Sequence, residues 1–269
     1  MKLIDSKVEI IEQQSGLEGV YKQIELAGRV CYKSEDKITE DSAKGFVDRM
    51  INSKHGAMLE HGTVYLLIRD CDETDIHINE YMSNPHTKVN SVGNWWYITT
   101  NLRVLVENDW MRDLLYYLSE PTEHHEKRTT ARFTCDRGVS HEIVRHRVMS
   151  FAQESQRYVG YDKEKFGGEV TFVKPHWYDE EFPACLTWIE SLKDSEKKYL
   201  ELREAGLKPQ DARGVLPNAT KTEIVVTGFE SDWEHFFSLR SPKYGAQGPH
   251  PDIAKLADEL YEKLNSVNK

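Results

Sequence analysis

The sequence has little cysteine and no long apolar run. We predict reduced, partly buried thiols, because the four cysteines form no CxxC pair and are scattered along the chain: Cys31, Cys71, Cys135 and Cys185. No apolar run approaches the ~20 residues that cross a bilayer, and the first residues alternate charged and apolar side chains too often for a signal peptide. We therefore expect a cytoplasmic protein with no membrane contact and no structural zinc.

Positive charge is also scarce, because 35 lysines and arginines face 45 aspartates and glutamates, which gives a net charge of −10. Such a chain lacks the basic footprint that a nucleic-acid backbone requires, so we expect no nucleic-acid partner. A small anionic ligand needs only a local group of arginines and is not excluded.

Several familiar motifs are missing. Neither GxGxxG nor GxxxxGK[ST] occurs, so no Rossmann dinucleotide site and no P-loop is indicated. His141-Glu142 with His146 is one residue too long for the zinc-binding HExxH, and His55 and His61 are too far apart to share a helix face. We expect no metal site, and a nucleotide or cofactor would have to be held by arginines and loops.

Helical and strand periodicities alternate along the chain. Strands are predicted at residues 7–11, 63–68, 95–99, 130–135, 170–173 and 222–226. Helices are predicted at 17–27, 102–118, 142–147, 188–202, 231–240 and 253–264, and one more from an N-cap at Thr39 to near Gly56. Ser140 is the predicted cap of the helix at 142–147, a Ser231–Glu234 capping box precedes that at 231–240, and Gly206 ends that at 188–202. This order predicts the α/β (α+β) class.

Residues 70–130 carry the weakest signals. Asn84-Pro85-His86 indicates a loop, and the polar run from Ser119 to Arg128 indicates a solvated connection. Neither flank has the composition of a linker. We therefore interpret the segment as an insertion within one domain that spans residues 1–269.

The densest cationic cluster is Arg145-His146-Arg147, which stands among apolar neighbours. Arginines in such surroundings need an anion, and the planar guanidinium matches phosphate and carboxylate. Ion pairs with the chain's own acidic residues would explain the same cluster, and the sequence leaves both interpretations open. Beyond it, Gln153, Ser155 and Arg157 are spaced by two, so an extended backbone would place them on one side. They could read a nucleotide there, or they could simply form a polar strand face.

Two more arginines are candidates for binding an anion. Arg213 precedes a predicted strand, and Arg240 shares a helical face with Trp233, Phe236 and Phe237. Arg240 could satisfy the carbonyl end of its helix, or it could enter a pocket with an aromatic wall.

The segment 145–157 resembles the signature of the flavin-dependent thymidylate synthases, which is an RHR triplet, seven residues, a serine and, two later, an arginine. Further segments match that family in the same order: 29–32, 55–61, 212–217 and 236–240. The resemblance covers roughly residues 1–70 and 130–260. It implies a mixed sheet flanked by helices, a homotetramer with shared active sites, and the conversion of dUMP to dTMP. Methylenetetrahydrofolate would be the carbon donor, and NADPH would provide reducing equivalents through FAD.

The resemblance also implies a role for each matching residue. The residues implied to bind the cofactor are Arg145, His146, Arg147, Gln153 and His235. Those implied to bind dUMP are Glu142, Arg145, Gln153, Ser155, Gln156, Arg157, Arg213 and Arg240. Arg240, Ser155 and His55 would be catalytic, with Arg240 favouring ionisation at N3 of the uracil.

Departures from the family pattern fall on the flavin side, at Ala57, Ala152 and Phe229. They leave two other functions open. One is a related flavin-dependent enzyme that hydroxymethylates a pyrimidine nucleotide, since the same arginines would bind its substrate. The other is a nucleotide-binding protein without turnover.

Overall fold

The structure, a computed structural model, describes residues 1–70, 78–163 and 167–267. The strands are β1 (Lys2–Ile4), β2 (Lys7–Ile11), β3 (Thr63–Arg69), β4 (Lys88–Val92), β5 (Trp95–Asn101), β6 (Arg128–Asp136), β7 (Ser150–Gln153), β8 (Thr171–Val173) and β9 (Lys221–Phe229). The helices are α1 (Gly16–Tyr32), α2 (Ser42–Asn52), α3 (Gly56–Leu59), α4 (Ile78–Ser83), α5 (Leu102–Glu107), α6 (Asp113–Tyr116), α7 (Arg137–Ile143), α8 (Pro183–Glu204), α9 (Pro209–Ala212), α10 (Glu230–Arg240) and α11 (Pro251–Val267).

The central sheet is antiparallel, in the order β2-β6-β9-β7. Alternate residues of β9 point to opposite faces, and both faces are buried. Ile224 and Val226 join a core cluster with α10 and α11, whereas Val225 packs with Ala152 of β7 against α1. The sheet is therefore covered by helices on both faces, and the two covering layers lie close to the predicted site residues.

The segment 70–130 contributes to a second core. The antiparallel sheet β3-β5-β4 packs against α1 and α2, so that Leu66 and Ile98 lie in one apolar cluster with Ile24 and Val47. Among the described residues, the segment thus packs with the N-terminal helices. Residues 71–77, which include Cys71, lie outside the described part of the chain.

A third, smaller core lies beneath α8. Parallel strands β1 and β8 pair there, and Phe172 of β8 packs with Leu192 and Tyr199 of α8. Antiparallel and parallel pairings thus both occur, in separate sheets, which confirms the predicted α/β (α+β) class. Within the described residues, Cys31, Cys135 and Cys185 are free thiols, and no helix is long and apolar enough to span a bilayer.

The predicted helix over 142–147 is wrong. Helix α7 begins at Arg137, because the carboxylate of Asp136 accepts a hydrogen bond from Val139 N at 2.9 Å and caps it. Ser140 lies inside this helix, which ends at Ile143. The RHR triplet therefore lies in the turn that follows the helix.

The single helix over 102–118 is also wrong, because the chain forms α5 and α6 instead. Asp109 adopts a left-handed backbone with φ 61°, and Trp110 N donates to Leu105 O at 2.8 Å. This arrangement ends a helix.

Two helix starts differ from the prediction as well. Helix α2 begins at Ser42, because Thr39 accepts from Ser42 and forms a turn before the helix. Helix α10 begins at Glu230, because Asp232 accepts a hydrogen bond from Phe229 N at 3.0 Å. Ser231 does not cap it, since its hydroxyl donates to Glu126.

Candidate functional site

The RHR triplet presents two exposed arginines around a buried histidine. Arg145 and Arg147 are exposed, whereas His146 is 6% exposed. Among residues 1–70, 78–163 and 167–267, neither guanidinium forms an ion pair. Intramolecular salt bridges, one of the two interpretations of the cluster, are thus not found for these two arginines. Their charge is available to an anion from outside this chain.

Arg240 is held between α7 and α10. It lies at the last residue of α10, where Nη1 donates to the carboxylate of Glu142 on α7 and Nε donates to His146 Nε2 at 3.2 Å. Arg240 is therefore fixed by two side chains rather than by its own helix carbonyls. We call these three residues, with His235, the Arg240 cluster.

His146 is neutral near pH 7. Burial lowers its pKa to about 4, and the nearby charge of Arg240 and the His235 imidazole act in the same direction. Its ring meets Phe236 edge-on at 4.9 Å and lies 6.2 Å from the ring of His235. Since Nε2 accepts from Arg240, the proton is assigned to Nδ1. A neutral imidazole can thus orient the guanidinium without repelling it.

Ser155 lies in the turn that follows β7, in contact with the last turn of α1. Its amide donates to Cys31 O at 3.0 Å, and Arg157 N donates to Ser155 Oγ at 3.3 Å. The exposed guanidinium of Arg157 lies over the ring of Tyr158 at 5.5 Å. The turn thus presents one hydroxyl and one exposed cation next to each other.

Two tyrosines, Tyr158 and Tyr32, connect this turn to His55 by successive contacts. The Tyr158 ring lies 5.7 Å from the Tyr32 ring, and the Tyr32 hydroxyl is 3.3 Å from His55 Nδ1. We call His55, Tyr32, Ser155, Arg157 and Tyr158 the Ser155 cluster. The sequence did not predict the contact between the two tyrosines, although Tyr32 ends the matching segment 29–32 and Tyr158 follows the signature directly.

The predicted common face of Gln153, Ser155 and Arg157 is wrong. Only Gln153 is in a strand, and its amide donates to Ser140 Oγ at 2.8 Å and to Thr222 Oγ1 at 3.2 Å. The chain turns after β7, so the period of two stops there. Gln156 is buried at 7% exposure, beside Tyr161.

A buried charge network lies beneath the Ser155 turn. Glu154 accepts from Lys221 Nζ at 2.8 Å, and Glu223 accepts from Lys33 Nζ at 2.6 Å. Arg132 and Lys221 also pair with Glu223. Sequence reasoning missed this network because its members come from distant segments.

Arg213 stands apart from both clusters. It is exposed, at the start of a short 3₁₀ helix after α9. In the described part of the chain, no hydrogen bond or ion pair joins its side chain to either cluster. Side-chain contacts thus join Glu142, His146, His235 and Arg240 in one group and His55, Ser155 and Arg157 in another. Arg213 belongs to neither group, nor do Arg145, Arg147, Gln153 and Gln156.

The residues that depart from the family pattern have different surroundings. Ala152 is 1% exposed within the apolar cluster on α1. Phe229 is 4% exposed, and the cations of Lys88 and Arg128 lie over its ring at 5.6 and 5.4 Å. Ala57 is exposed. Buried Ala152 and Phe229 therefore offer no side-chain hydrogen bond to a cofactor.

His61, which closes the matching segment 55–61, has a structural role. It is completely buried, its Nδ1 is 2.9 Å from Thr227 Oγ1, and burial lowers its pKa to about 3. It joins the segment to β9 as a neutral side chain.

The comparisons with known sequences agree on one family. The family model described as thymidylate synthase complementing protein matches residues 106–268. A flavin-dependent thymidylate synthase of Pyrococcus furiosus is 34% identical over 151 residues, which cover 55% of this chain and 60% of the relative. One of Thermococcus kodakarensis is 38% identical over 128 residues, 48% of this chain and 51% of the relative. The matches thus span little more than half the length of these relatives.

Two broader comparisons cover most of the chain. A flavin-dependent thymidylate synthase of Corynebacterium glutamicum is 25% identical over 271 residues, 94% of this chain and 79% of the relative. A solved structure of the UMP/dUMP methylase PolB from Streptomyces cacaoi, bound with 5-Br dUMP, aligns with 99% of this chain and 93% of its own at a TM-score of 0.49 and 18% identity.

Proposed function

The chain belongs to the family of thymidylate synthase complementing proteins, and from this premise we propose that it is a flavin-dependent thymidylate synthase that reductively methylates dUMP to dTMP. The observation that carries the proposal is the set of exposed arginines at the matching positions. Arg145, Arg147, Arg157 and Arg213 have no carboxylate partner among the described residues, although the chain carries a net charge of −10. A phosphorylated substrate and a phosphorylated cofactor would both supply the missing anions.

Ser155 and Arg157 would bind dUMP at the turn after β7. The Ser155 hydroxyl accepts from the backbone N of Arg157, whose exposed guanidinium lies over the Tyr158 ring, and a hydroxyl and a guanidinium suit a sugar oxygen and a phosphate. Arg213 would hold the phosphate. Gln153, which is hydrogen-bonded to Ser140, and Gln156, which is buried, would contribute to the dUMP site from beneath the turn. His55 would place the folate and the flavin from the other side of Tyr32.

Arg240 would stabilise the uracil as negative charge develops at N3. A fixed cation beside a developing anion lowers the barrier most when it needs no reorganisation, and Glu142 and His146 already hold this guanidinium. Because Glu142 is itself an anion, it would either stay hydrogen-bonded to Arg240 beside the pyrimidine or lose this hydrogen bond when the pyrimidine binds. The nucleophile would be the uracil ring carbon, so no cysteine is required.

The residues around the RHR turn fit FAD by charge. Arg145 and Arg147 would bind its diphosphate, and His146 and His235 would line the same edge. Bound FAD would supply the reducing equivalents that NADPH delivers. Ala152 and Phe229 are buried, so the cofactor would depend on the cationic turn more than on hydrogen bonds from those positions.

The remaining parts of the proposal rest on the family resemblance. They are methylenetetrahydrofolate and NADPH as co-substrates, a homotetramer with shared active sites, one domain over residues 1–269 and a cytoplasmic location. Within the described residues, no hydrogen bond or ion pair joins Arg213 to the Arg240 cluster or the Ser155 cluster, and a shared site in which another subunit contributes one of these groups would bring them to one substrate.

Purified protein tests the proposal directly. We expect flavin absorbance and formation of dTMP from dUMP only when NADPH and methylenetetrahydrofolate are both present. Formation of a hydroxymethylated nucleotide instead would favour the related hydroxymethylating enzyme. Binding of dUMP without any product would favour a binding protein, and failure to bind FAD on reconstitution would contradict all flavin chemistry.

Replacing Ser155 with alanine should weaken dUMP binding while flavin content stays unchanged. One hydrogen bond to the nucleotide is lost, so we expect KM for dUMP to rise about tenfold. Initial rates over a dUMP series and the flavin-to-protein absorbance ratio measure both effects. Ser91→Ala, at an exposed position of β4, is the control. Loss of flavin with an unchanged KM would contradict the role.

A further inference from the structure

Two histidines and an aspartate converge at the start of α11, outside both clusters of the candidate site. His176 follows β8, whereas His250 and Asp252 flank the first residue of α11. One ligand atom from each of the three lies within 4.8 Å of the others. No local sequence pattern indicates this group, because His176 and His250 are 74 residues apart, whereas a motif such as HExxH places both histidines on one helix.

The distances within the group suit a small divalent cation. His176 Nδ1 lies 3.3 Å from Asp252 Oδ1, and His250 Nδ1 lies 3.7 Å from Asp252 Oδ2. Zinc binds imidazole nitrogen and carboxylate oxygen at about 2.0–2.2 Å with tetrahedral angles, which places neighbouring donor atoms roughly 3.3–3.6 Å apart. Each histidine nitrogen is therefore near its ligating separation from one oxygen of Asp252, and side-chain rotations would bring the three donor atoms, which lie within 4.8 Å of one another, to one ion.

The backbone also orients the group. His176 N donates to Asp252 Oδ1 at 2.6 Å, which fixes the carboxylate against the segment after β8. His250 Nδ1 accepts a long contact of 3.4 Å from Asp252 N, so it is unprotonated, and a metal ion would replace this weak contact. The two imidazole rings stand edge-on, with centroids 5.5 Å apart and planes at 84°. Both rings thus face one carboxylate with donor atoms available to a metal.

The surrounding charges limit the affinity but do not abolish it. Lys174 and Lys255 line the adjoining cavity of about 380 Å³ and oppose a cation, as does the N-terminus of α11. Asp5 lines the same cavity and adds a negative charge. The Lys174 ammonium lies over the ring of Tyr178 at 5.0 Å. Because the two lysines and the helix N-terminus offset the negative charges of Asp5 and Asp252, we expect micromolar rather than nanomolar binding.

We propose that His176, His250 and Asp252 form a binding site for a divalent transition metal of the zinc type. Imidazole and carboxylate are ligands that zinc accepts, and three protein ligands leave a fourth position for water. The metal would tie the segment after β8 to the start of α11 and so stabilise the folded chain. The proposal is independent of the proposed function, since it uses none of the residues in either cluster.

The test uses tag-free full-length protein that has been dialysed against a chelator. Calorimetric titration with Zn²⁺ should show one site per chain, and the melting temperature should rise with Zn²⁺ concentration, because a ligand of the folded state stabilises it. Cobalt(II) in place of zinc should give visible absorption bands of a nitrogen- and oxygen-ligated ion. His176→Ala and Asp252→Asn should each weaken the site by at least about tenfold.

His124→Ala is the matched control. His124 also lies beside a carboxylate, with its Nε2 3.6 Å from Glu123, but it belongs to no group of three ligands among the described residues. Zinc binding should be unchanged in this variant. The melting temperature without metal identifies any variant that fails to fold. If His176→Ala fails to fold, the zinc affinity of Asp252→Asn, which keeps the side-chain shape, tests the proposal. Zinc affinity that is equal in wild type, His176→Ala and Asp252→Asn, or absent from wild type, would overturn the proposal.

Discussion

Replacing Arg240 with alanine is expected to reduce dTMP formation by about 100- to 1,000-fold while the chain remains folded. Losing one preorganised donor at a developing oxyanion has an effect of this size. The side chain of Arg240 is 18% exposed and that of Glu142 is 27% exposed, so the ion pair is partly buried and its loss should also lower the melting temperature. The loss of activity should therefore appear in kcat for methylation at a temperature where the variant remains folded.

The experiment measures kcat, KM for dUMP and the melting temperature together. Arg203→Ala is the matched control, because Arg203 also lies in the last turn of a helix and pairs with a carboxylate, Asp162, at 2.8 Å. That variant should keep kcat. Arg240→Lys should recover part of the activity, since the charge remains while the fork geometry is lost. Wild-type turnover in Arg240→Ala would refute the role assigned to this residue.

His146 offers a second measurement on the same variant. Arg240 lowers the pKa of His146, so removal of the guanidinium should raise that pKa above its wild-type value of about 4. Nuclear magnetic resonance titration of the imidazole measures the shift. An unchanged His146 pKa would mean that Arg240 is not held against this ring in solution, whatever happens to the activity.

The central elements of the fold were predictable because their residues repeat with a fixed period. The alternation of Thr222, Ile224 and Val226 gave β9, and the stripe from Leu17 to Ala27 gave α1. In α1 the apolar stripe is the buried face, so burial and period agree, whereas β9 is buried on both faces and Ile224 and Val226 lie on the face towards α10 and α11. The α/β (α+β) class follows directly from such segments.

Helix boundaries were predicted less well, because single hydrogen bonds decide them. Asp136 and Asp232 set the starts of α7 and α10, where serines had been expected to do so. Asp109 broke a helical pattern that looked continuous. Such local competition between capping side chains leaves no periodic signal.

The family signature names candidate site residues, whose roles stay predictions, but it does not give their arrangement. The Arg240–Glu142 pair joins residues 98 apart, and the contact between His55 and Tyr32 joins residues 23 apart. No local pattern encodes such pairings, because they depend on how the helices pack. The family signature marks the residues, whereas the structure joins some of them in two clusters to which Arg213 does not belong.

Replacing Glu223 with glutamine is expected to destabilise the fold by about 3–5 kcal/mol at neutral pH, since it breaks a buried ion network. The network contains three cations, Lys33, Arg132 and Lys221, and three carboxylates, Glu35, Glu154 and Glu223. Removing one carboxylate leaves one cation in excess at a site where the Glu223 side chain is only 10% exposed. Urea denaturation at pH 7 measures the loss. Glu9→Gln on neighbouring β2, where the side chain is 48% exposed, is the control and should change stability by less than about 1 kcal/mol.

The effect of Glu223→Gln should also depend on pH in one direction. Burial alone would raise the pKa of Glu223, but Lys221 and Lys33 outweigh it and lower the pKa from 4.5 to about 2. A carboxyl with a lowered pKa stabilises the fold fully above its unfolded pKa. That contribution is about 3 kcal/mol here, and it is lost as pH falls towards the folded pKa. The difference between wild type and Glu223→Gln should therefore shrink by about 1 kcal/mol between pH 7 and about pH 3.5. A difference that stays constant or grows over this range would show that Glu223 is not held as a buried anion, and the Ser155 turn above it would then need another support.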